Sequence, residues 1–115
     1  MSNKYIKSPL NYTGGKYKLL PQILPLFPDN ISTFIDLFGG GCNVSANINA
    51  DKIIYNDLNL KVVQILETFY NSPTVDMLNY IDSKITEFDL SKTNTQGFLD
   101  LRNKYNNCEI KNPMD

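Results

Sequence analysis

The sequence predicts an α/β fold in which the first strands of a parallel sheet are followed by a helical segment, and three observations carry that prediction. The apolar run Phe34-Ile-Asp-Leu-Phe38 delivers the chain into three consecutive glycines, Gly39-Gly40-Gly41. A second run, Lys52-Ile-Ile-Tyr55, follows after the dozen or so residues that a crossover between parallel strands needs. From Leu58 onward the apolar spacing changes to the rhythm of three and four that marks helices.

Each element follows from its residues. Leu19, Leu20, Ile23, Leu24 and Phe27 share one face of an amphipathic helix over residues 17–27, where Pro21 is tolerable because it falls near the first turn and Pro25 and Pro28 end the helix. Asp29-Asn-Ile-Ser32 reads as a turn into a strand over 33–37, which stops at the glycines. Residues 42–50 have helix-compatible spacing and 52–55 form a short buried strand, so 33–57 make one β-loop-α-β unit. Val62, Val63, Leu66 and Phe69 line one later helix, and Val75, Leu78, Ile81, Ile85 and Phe88 line another. A third helix is predicted over 95–106: Thr93-Asn-Thr-Gln96 resembles a capping box, and Phe98, Leu101, Arg102 and Tyr105 share a side. The expected organisation is an α/β portion over 1–60 and a helical portion over 61–115.

Composition removes several function classes. A chain of 115 residues is one domain or part of one. With 42% hydrophobic and 20% charged residues it is ordinary for a soluble globular protein. No apolar stretch approaches the ~18–20 residues of a membrane span. The leading Met-Ser-Asn-Lys-Tyr-Ile-Lys has no signal-like apolar core, so a cytoplasmic protein is expected. The net charge of −1 offers no bulk attraction to nucleic acid, so any DNA contact needs a local basic patch or a region outside this chain. The absence of histidine removes Ser-His-Asp and Cys-His catalysis and the usual Cys/His zinc sites. Cys42 and Cys108 are expected to be reduced and structural, and no metal is expected. The abundance of asparagine says more about codon bias than about function.

The glycine turn is the candidate site. Glycines admit positive φ and let backbone approach a ligand closely, and the acid-bearing strand before them is how open α/β sheets hold an adenosyl ligand. The dinucleotide pattern Gly-x-Gly-x-x-Gly fails, because Gly39 and Gly41 fit but Val44 holds the third place. Asp36, just before the turn, would repel a pyrophosphate and suits a cationic amino-acid group instead. Asp57 stands 18 positions after Gly39, close to the ~20-residue offset at which an acid reaches ribose hydroxyls. The alternative is that Asn56-Asp57 caps the helix starting at Leu58. Gly14-Gly15-Lys16 is not a phosphate loop, since no glycine precedes it at the required offset and Tyr17 stands where Ser or Thr would bind magnesium.

Tyr12-Thr-Gly-Gly-Lys16, Asp36-Leu-Phe-Gly-Gly-Gly41 and Asn56-Asp-Leu-Asn59, in that order, resemble the N-terminal part of the Dam-family, or D12-class, adenine-N6 DNA methyltransferases. Phe98-Leu-Asp-Leu-Arg-Asn-Lys-Tyr-Asn106 resembles the family's segment at the entry to its helical target-recognition region, so the likeness spans nearly the whole chain. The resemblance implies a partial Rossmann-like S-adenosylmethionine-dependent methyltransferase fold over 1–60 and the start of the target-recognition region over 61–115. It implies that Tyr12 packs on or beside S-adenosylmethionine, that Lys16 reaches its carboxylate end, and that Phe38, Gly39, Gly40 and Gly41 border its methionine and ribose. Asp57, with Leu58 beside it, would take the ribose hydroxyls, and Asp36 would face the methionine amino group or order the turn.

The family's catalytic Asp-Pro-Pro-Tyr, which receives the flipped adenine, does not occur in these residues; Asn112-Pro-Met-Asp115 has one proline and no aromatic. No catalytic residue is therefore assigned. The expectation is an N-terminal fragment of an enzyme methylating N6 of adenine in double-stranded DNA, as in restriction-modification, unable to methylate unaided. The alternative is an inactive cofactor- or DNA-associating remnant. A methyltransferase of RNA or protein is disfavoured because Gly-Gly-Lys precedes the cofactor strand. A sheet cut after its first strands leaves an open edge, which predicts self-association or a second chain completing it.

Overall fold

A computed structural model describes residues 4–113, so the leading Met-Ser-Asn and the last two residues of Asn112-Pro-Met-Asp115 lie outside it. The chain divides into two compact units, one ending at Val63 and one beginning at Gln64.

The first unit is built on β1 (Ile31–Asp36) and β2 (Ala50–Tyr55). They pair in parallel, Ile31 beside Ala50 and Asp36 beside Tyr55, as the sequence predicts. Parallel pairing brings both carboxyl ends to one edge, and this sets the glycine turn beside Asn56-Asp57. β1 starts earlier than expected because Asn30 takes a left-handed conformation, φ 61°, and turns the chain into the sheet.

The crossover departs from the expected helix. In place of a helix over 42–50, residues 43–47 form tight turns, with Ala46 N donating to Cys42 O at 3.0 Å and Ile48 N to Val44 O at 3.0 Å. The glycine turn and Cys42, at φ 69°, occupy the front of the connection, and fewer than two helical turns of chain remain before β2. The leading helix is broken too. A 3-10 turn (Tyr17–Leu19), the four-residue α1 (Leu20–Ile23) and a second 3-10 turn (Leu24–Leu26) replace it. Pro21 sits in the first turn of α1, as expected, but Pro25 lacks the amide that would continue the ladder, so the chain tightens and leaves at Phe27 in extended conformation.

Leu20, Val44 and Val62 are the buried apolar side chains, joined by buried Asn43 and Ser45. Phe27 packs edge-on to Phe34, ring centroids 5.2 Å apart. The buried second strand expected from the sequence is instead half open, with Ile53 and Ile54 40% and 39% exposed, because two strands leave each other with a free edge and little cover.

α2 (Leu60–Asn71) begins in the first unit; α3 (Thr74–Phe88) and α4 (Thr95–Asn107) complete the second. α2 starts at Leu60 rather than Leu58, with Asn59 as its cap: Oδ1 of Asn59 accepts from Lys61 N at 3.2 Å. Its expected face is covered, Val62 fully and Val63, Leu66 and Phe69 partly. The expected face of α3 is not: Val75, Leu78, Ile81 and Ile85 are exposed. α3 ends where Asp89 turns left-handed, φ 49°. α4 is capped by Asn94, which accepts from Gly97 N at 3.1 Å, not by Thr93; Gly97 occupies the place where a capping box needs an acid or amide. Among the described residues no helix is long and apolar enough to cross a membrane.

Candidate functional site

The site forms where the carboxyl ends of β1 and β2 meet. The end of β1 and the glycine turn are laced to the end of β2 and the residues after it by five hydrogen bonds: Asn56 N to Asp36 O (2.9 Å), Gly39 N to Asn56 O (2.9 Å), Asn56 Nδ2 to Leu37 O (2.8 Å), Gly40 N to Asp57 Oδ2 (2.9 Å) and Tyr55 Oη to Gly40 O (2.7 Å). Each satisfies a polar group that irregular backbone would otherwise leave to water, and together they fix the shape of the turn.

Two glycines are there for different reasons. A Cβ at Gly39 would lie 2.1 Å from Cε2 of Tyr55, so the tyrosine ring occupies the space a side chain would need. Gly40 sits at φ 50°, a conformation that suits glycine. Burial, aided by the charges of Asp57 and Asp36, pushes the Tyr55 hydroxyl up to about 12, so it stays protonated and keeps donating to the turn. The sequence alone gives Tyr55 no role beyond ending a strand. The one signal for it is its register opposite Asp36, which becomes visible once the strands are paired.

Asp57 is the centre of the arrangement. Its Oδ1 accepts from Asn59 N at 2.8 Å and its Oδ2 from Gly40 N. These two amide bonds, Asn59 first, and then the charge of Lys16 hold its carboxyl below the ordinary range. Two bonds leave about half of a carboxylate's acceptor capacity for further hydroxyls. Since Asn59 caps α2, the reading of Asp57 as a plain helix cap fails.

Asp36 resolves the other way. Its Oδ2 accepts from Ser45 Oγ at 2.6 Å, which ties β1 to the crossover, and it does not line the cavity below. Burial pushes the neighbouring Cys42 thiol up, with Asp36's charge adding to the effect, which suits an unreactive thiol. Both cysteines are free, Cys108 on the exposed surface.

The N-terminal arm brings Tyr12 and Lys16 to the turn, and two crossover asparagines hold that arm. Asn47 exchanges two bonds with Ile6, Oδ1 from its N and Nδ2 to its O, both 2.7 Å. Asn43 Oδ1 accepts from Ser8 N at 2.9 Å. Asn43 and Asn47 thus have structural roles here. Tyr12 lies against Gly40, and its Oη accepts from Asn59 Nδ2 at 3.4 Å.

Tyr12, Lys16, Phe38, Gly39, Gly40, Gly41 and Asp57, all singled out from the sequence, line one notch of about 110 Å³. Leu58 does not line it; it is 96% exposed, alongside. Phe38 is exposed at the lip rather than part of a core. Thr13, Gly14, Gly15, Asn43 and Val44 also line the notch, and the sequence did not mark them as site residues. The volume falls short of the ~300–1,000 Å³ that encloses a small molecule, so the notch grips part of a ligand lying over open surface. A larger hollow of about 450 Å³ lies between residues 24–31 and 47–49, at the amino ends of the strands, the wrong end for a ligand of a parallel sheet. Among the described residues there is no cluster of three metal-binding side chains.

A cation, an ionised acid, turn amides and an aromatic ring around one notch match a ligand with hydroxyls at one end and charge at the other. The family model described as D12 class N6 adenine-specific DNA methyltransferase matches residues 12–114. The chain is 53% identical over 114 residues to the type II methyltransferase M.FokI of Planomicrobium okeanokoites, covering 99% of this chain and 17% of that protein. It is also 53% identical over 114 residues to the modification methylase StsI of Streptococcus sanguinis, with the same coverage. The modification methylase LlaI of Lactococcus lactis subsp. lactis is 36% identical over 104 residues, 90% of this chain and 17% of that protein. The chain therefore spans about 17% of the length of these curated relatives, and with a family match running through both units it belongs to the D12 class of N6 adenine-specific DNA methyltransferases.

Proposed function

We propose that this chain supplies the cofactor end of a DNA adenine-N6 methyltransferase, built on the first strands of a Rossmann-like sheet and binding S-adenosylmethionine at the notch. The observation that carries the reading is the Gly40 N–Asp57 Oδ2 bond, which fixes an ionised acid against the glycine turn at the carboxyl ends of parallel strands. When bound, the cofactor supplies a methyl group activated by its sulfonium. Asp57 accepts from the ribose hydroxyls, Lys16 pairs with the carboxylate, Tyr12 and Phe38 pack against the ligand, and Leu58 offers an exposed apolar surface beside Asp57. Asp36 orders the turn through Ser45.

No group for receiving the adenine amino nitrogen is assigned in these residues, because Asp-Pro-Pro-Tyr does not occur in them. Double-stranded DNA is the partner proposed for the complete protein, with 61–115 leading into its target-recognition region. Relatives named as modification methylases favour a restriction-modification role in the cytoplasm. The exposed Ile35, Ile53 and Ile54 favour further strands or a second chain completing the sheet. For the chain taken alone, the same lack of Asp-Pro-Pro-Tyr favours cofactor binding without methyl transfer.

Calorimetry of the chain with S-adenosylhomocysteine tests the reading. Binding is expected, and Asp57→Ala should weaken it by about 10- to 100-fold through loss of charged hydrogen bonds. Absence of heat with the unaltered chain removes the cofactor assignment, and equal affinity of the variant removes Asp57's part in it.

A further inference from the structure

Asn43 is 7% exposed, and it lies between the two glycine segments: its Nδ2 is 3.6 Å from where a Cβ of Gly15 would stand and 3.5 Å from that of Gly41. The orientation of its amide is settled by chemistry. Ser8 N can only donate, so the group facing it at 2.9 Å is Oδ1, and Nδ2 points the other way. Among the described residues Nδ2 has no hydrogen-bond partner, yet no side-chain nitrogen or oxygen there is fully buried without one, so the amide is open to solvent; Asn43 lines the notch together with Lys16, and also an adjoining hollow of about 370 Å³ bounded by Lys7, Ser8 and Tyr12. Side chains at Gly15 or Gly41 would fill the space beside that amide.

We propose that Asn43 is a ligand-binding residue whose Nδ2 donates to a carboxylate held beside Lys16. An amide donor next to an ammonium is the chemistry that selects a carboxylate over an amine, since both groups offer protons and neither accepts one. The proposal rests on the cofactor reading above, where that carboxylate is the cofactor's amino-acid end. Asn43 thus has two roles at once, Oδ1 positioning the arm and Nδ2 recognising the ligand.

Asn43→Asp tests it, because the variant keeps an oxygen for Ser8 N and replaces the donor with an acceptor. Calorimetry would compare S-adenosylhomocysteine with its decarboxylated analogue, which keeps the amine and lacks the carboxylate. The variant should bind S-adenosylhomocysteine more than 10-fold more weakly and the analogue no more weakly than the unaltered chain does. Asn43→Ser, which removes the amide and adds no charge, should show the same selectivity and serves if Asn43→Asp fails to fold by circular dichroism. Equal losses for both ligands, or no loss for either, overturn the role of Asn43 and leave the cofactor reading standing. Failure of the unaltered chain to bind either ligand overturns both.

Discussion

In the unit ending at Val63 the decisive hydrogen bonds join residues far apart in sequence: Tyr55 to Gly40, Ser8 to Asn43, Ile6 to Asn47. In the unit beginning at Gln64 most close within a turn or two. Asn94 caps Gly97, Asp89 N reaches back to Ile85 and Thr86, and Lys111 Nζ gathers the carbonyls of Tyr105, Asn106 and Cys108 at the end of α4. Helices satisfy their own backbone and need only their ends finished. A glycine turn has no such ladder, and with so few apolar side chains fully buried its shape depends on polar bonds of about 1 kcal/mol each, made across closed loops. Long-range lacing marks the place where irregular backbone must hold one shape, as a ligand site requires.

The largest effect expected is from matched glycine substitutions. Gly39→Ala would drive a Cβ into the Tyr55 ring, costing about 1–3 kcal/mol by thermal denaturation and abolishing S-adenosylhomocysteine binding as the turn shifts. Gly97→Ala, whose Cβ would stand 2.3 Å from Phe88 O, should destabilise by a similar amount and leave affinity unchanged. If Gly97→Ala also abolished binding, the contrast between the units would break. A middle-sized effect should come from the amides. Asn47→Ala removes both bonds to Ile6 and should cost about 1–2 kcal/mol, with faster hydrogen exchange at the Ile6 amide. Asn94→Ala should cost about 1 kcal/mol, with lost protection confined to the start of α4.

The smallest effect is electrostatic, and it sharpens the comparison. Asp57 is depressed below its ordinary 3.8 chiefly by backbone amides, whereas Glu87 is depressed below its ordinary 4.5 by Lys104 and Lys84. A depressed acid stabilises the fold above its unfolded pKa, and that contribution disappears as pH falls through the folded value. The Gly40 amide resonance should thus stay constant from neutral pH down to about pH 4 and move only below it. In about 1 M salt, where charges are screened beyond ~3 Å, Glu87 should return toward its ordinary value while Asp57 holds. Equal movement of both acids would show that Asp57 is governed by Lys16 rather than by its amides.

Much of this architecture is legible in the sequence because it is local. The spacing of Val62, Val63, Leu66 and Phe69 writes a helix, the glycines after an apolar strand write a turn, and two apolar runs separated by a crossover write a parallel pair. Seven of the nine expected cofactor residues line one notch, and five of them, Phe38, Gly39, Gly40, Gly41 and Asp57, do so because parallel strands bring their carboxyl ends together; Tyr12 and Lys16 reach it on the N-terminal arm. Asp36 and Leu58 escaped that logic. Proximity in sequence to a motif does not say which way a side chain turns, and Asp36 turned to Ser45. Tyr55 beneath the glycines, Asn43 and Asn47 under the arm, and the replacement of a crossover helix by tight turns were not legible. Each depends on which distant groups meet when the loops close, and an amide or a phenol carries no periodicity that names its partner in advance. Periodicity and backbone chemistry write the elements, whereas the contacts that shape the notch exist only after β1 and β2 have paired.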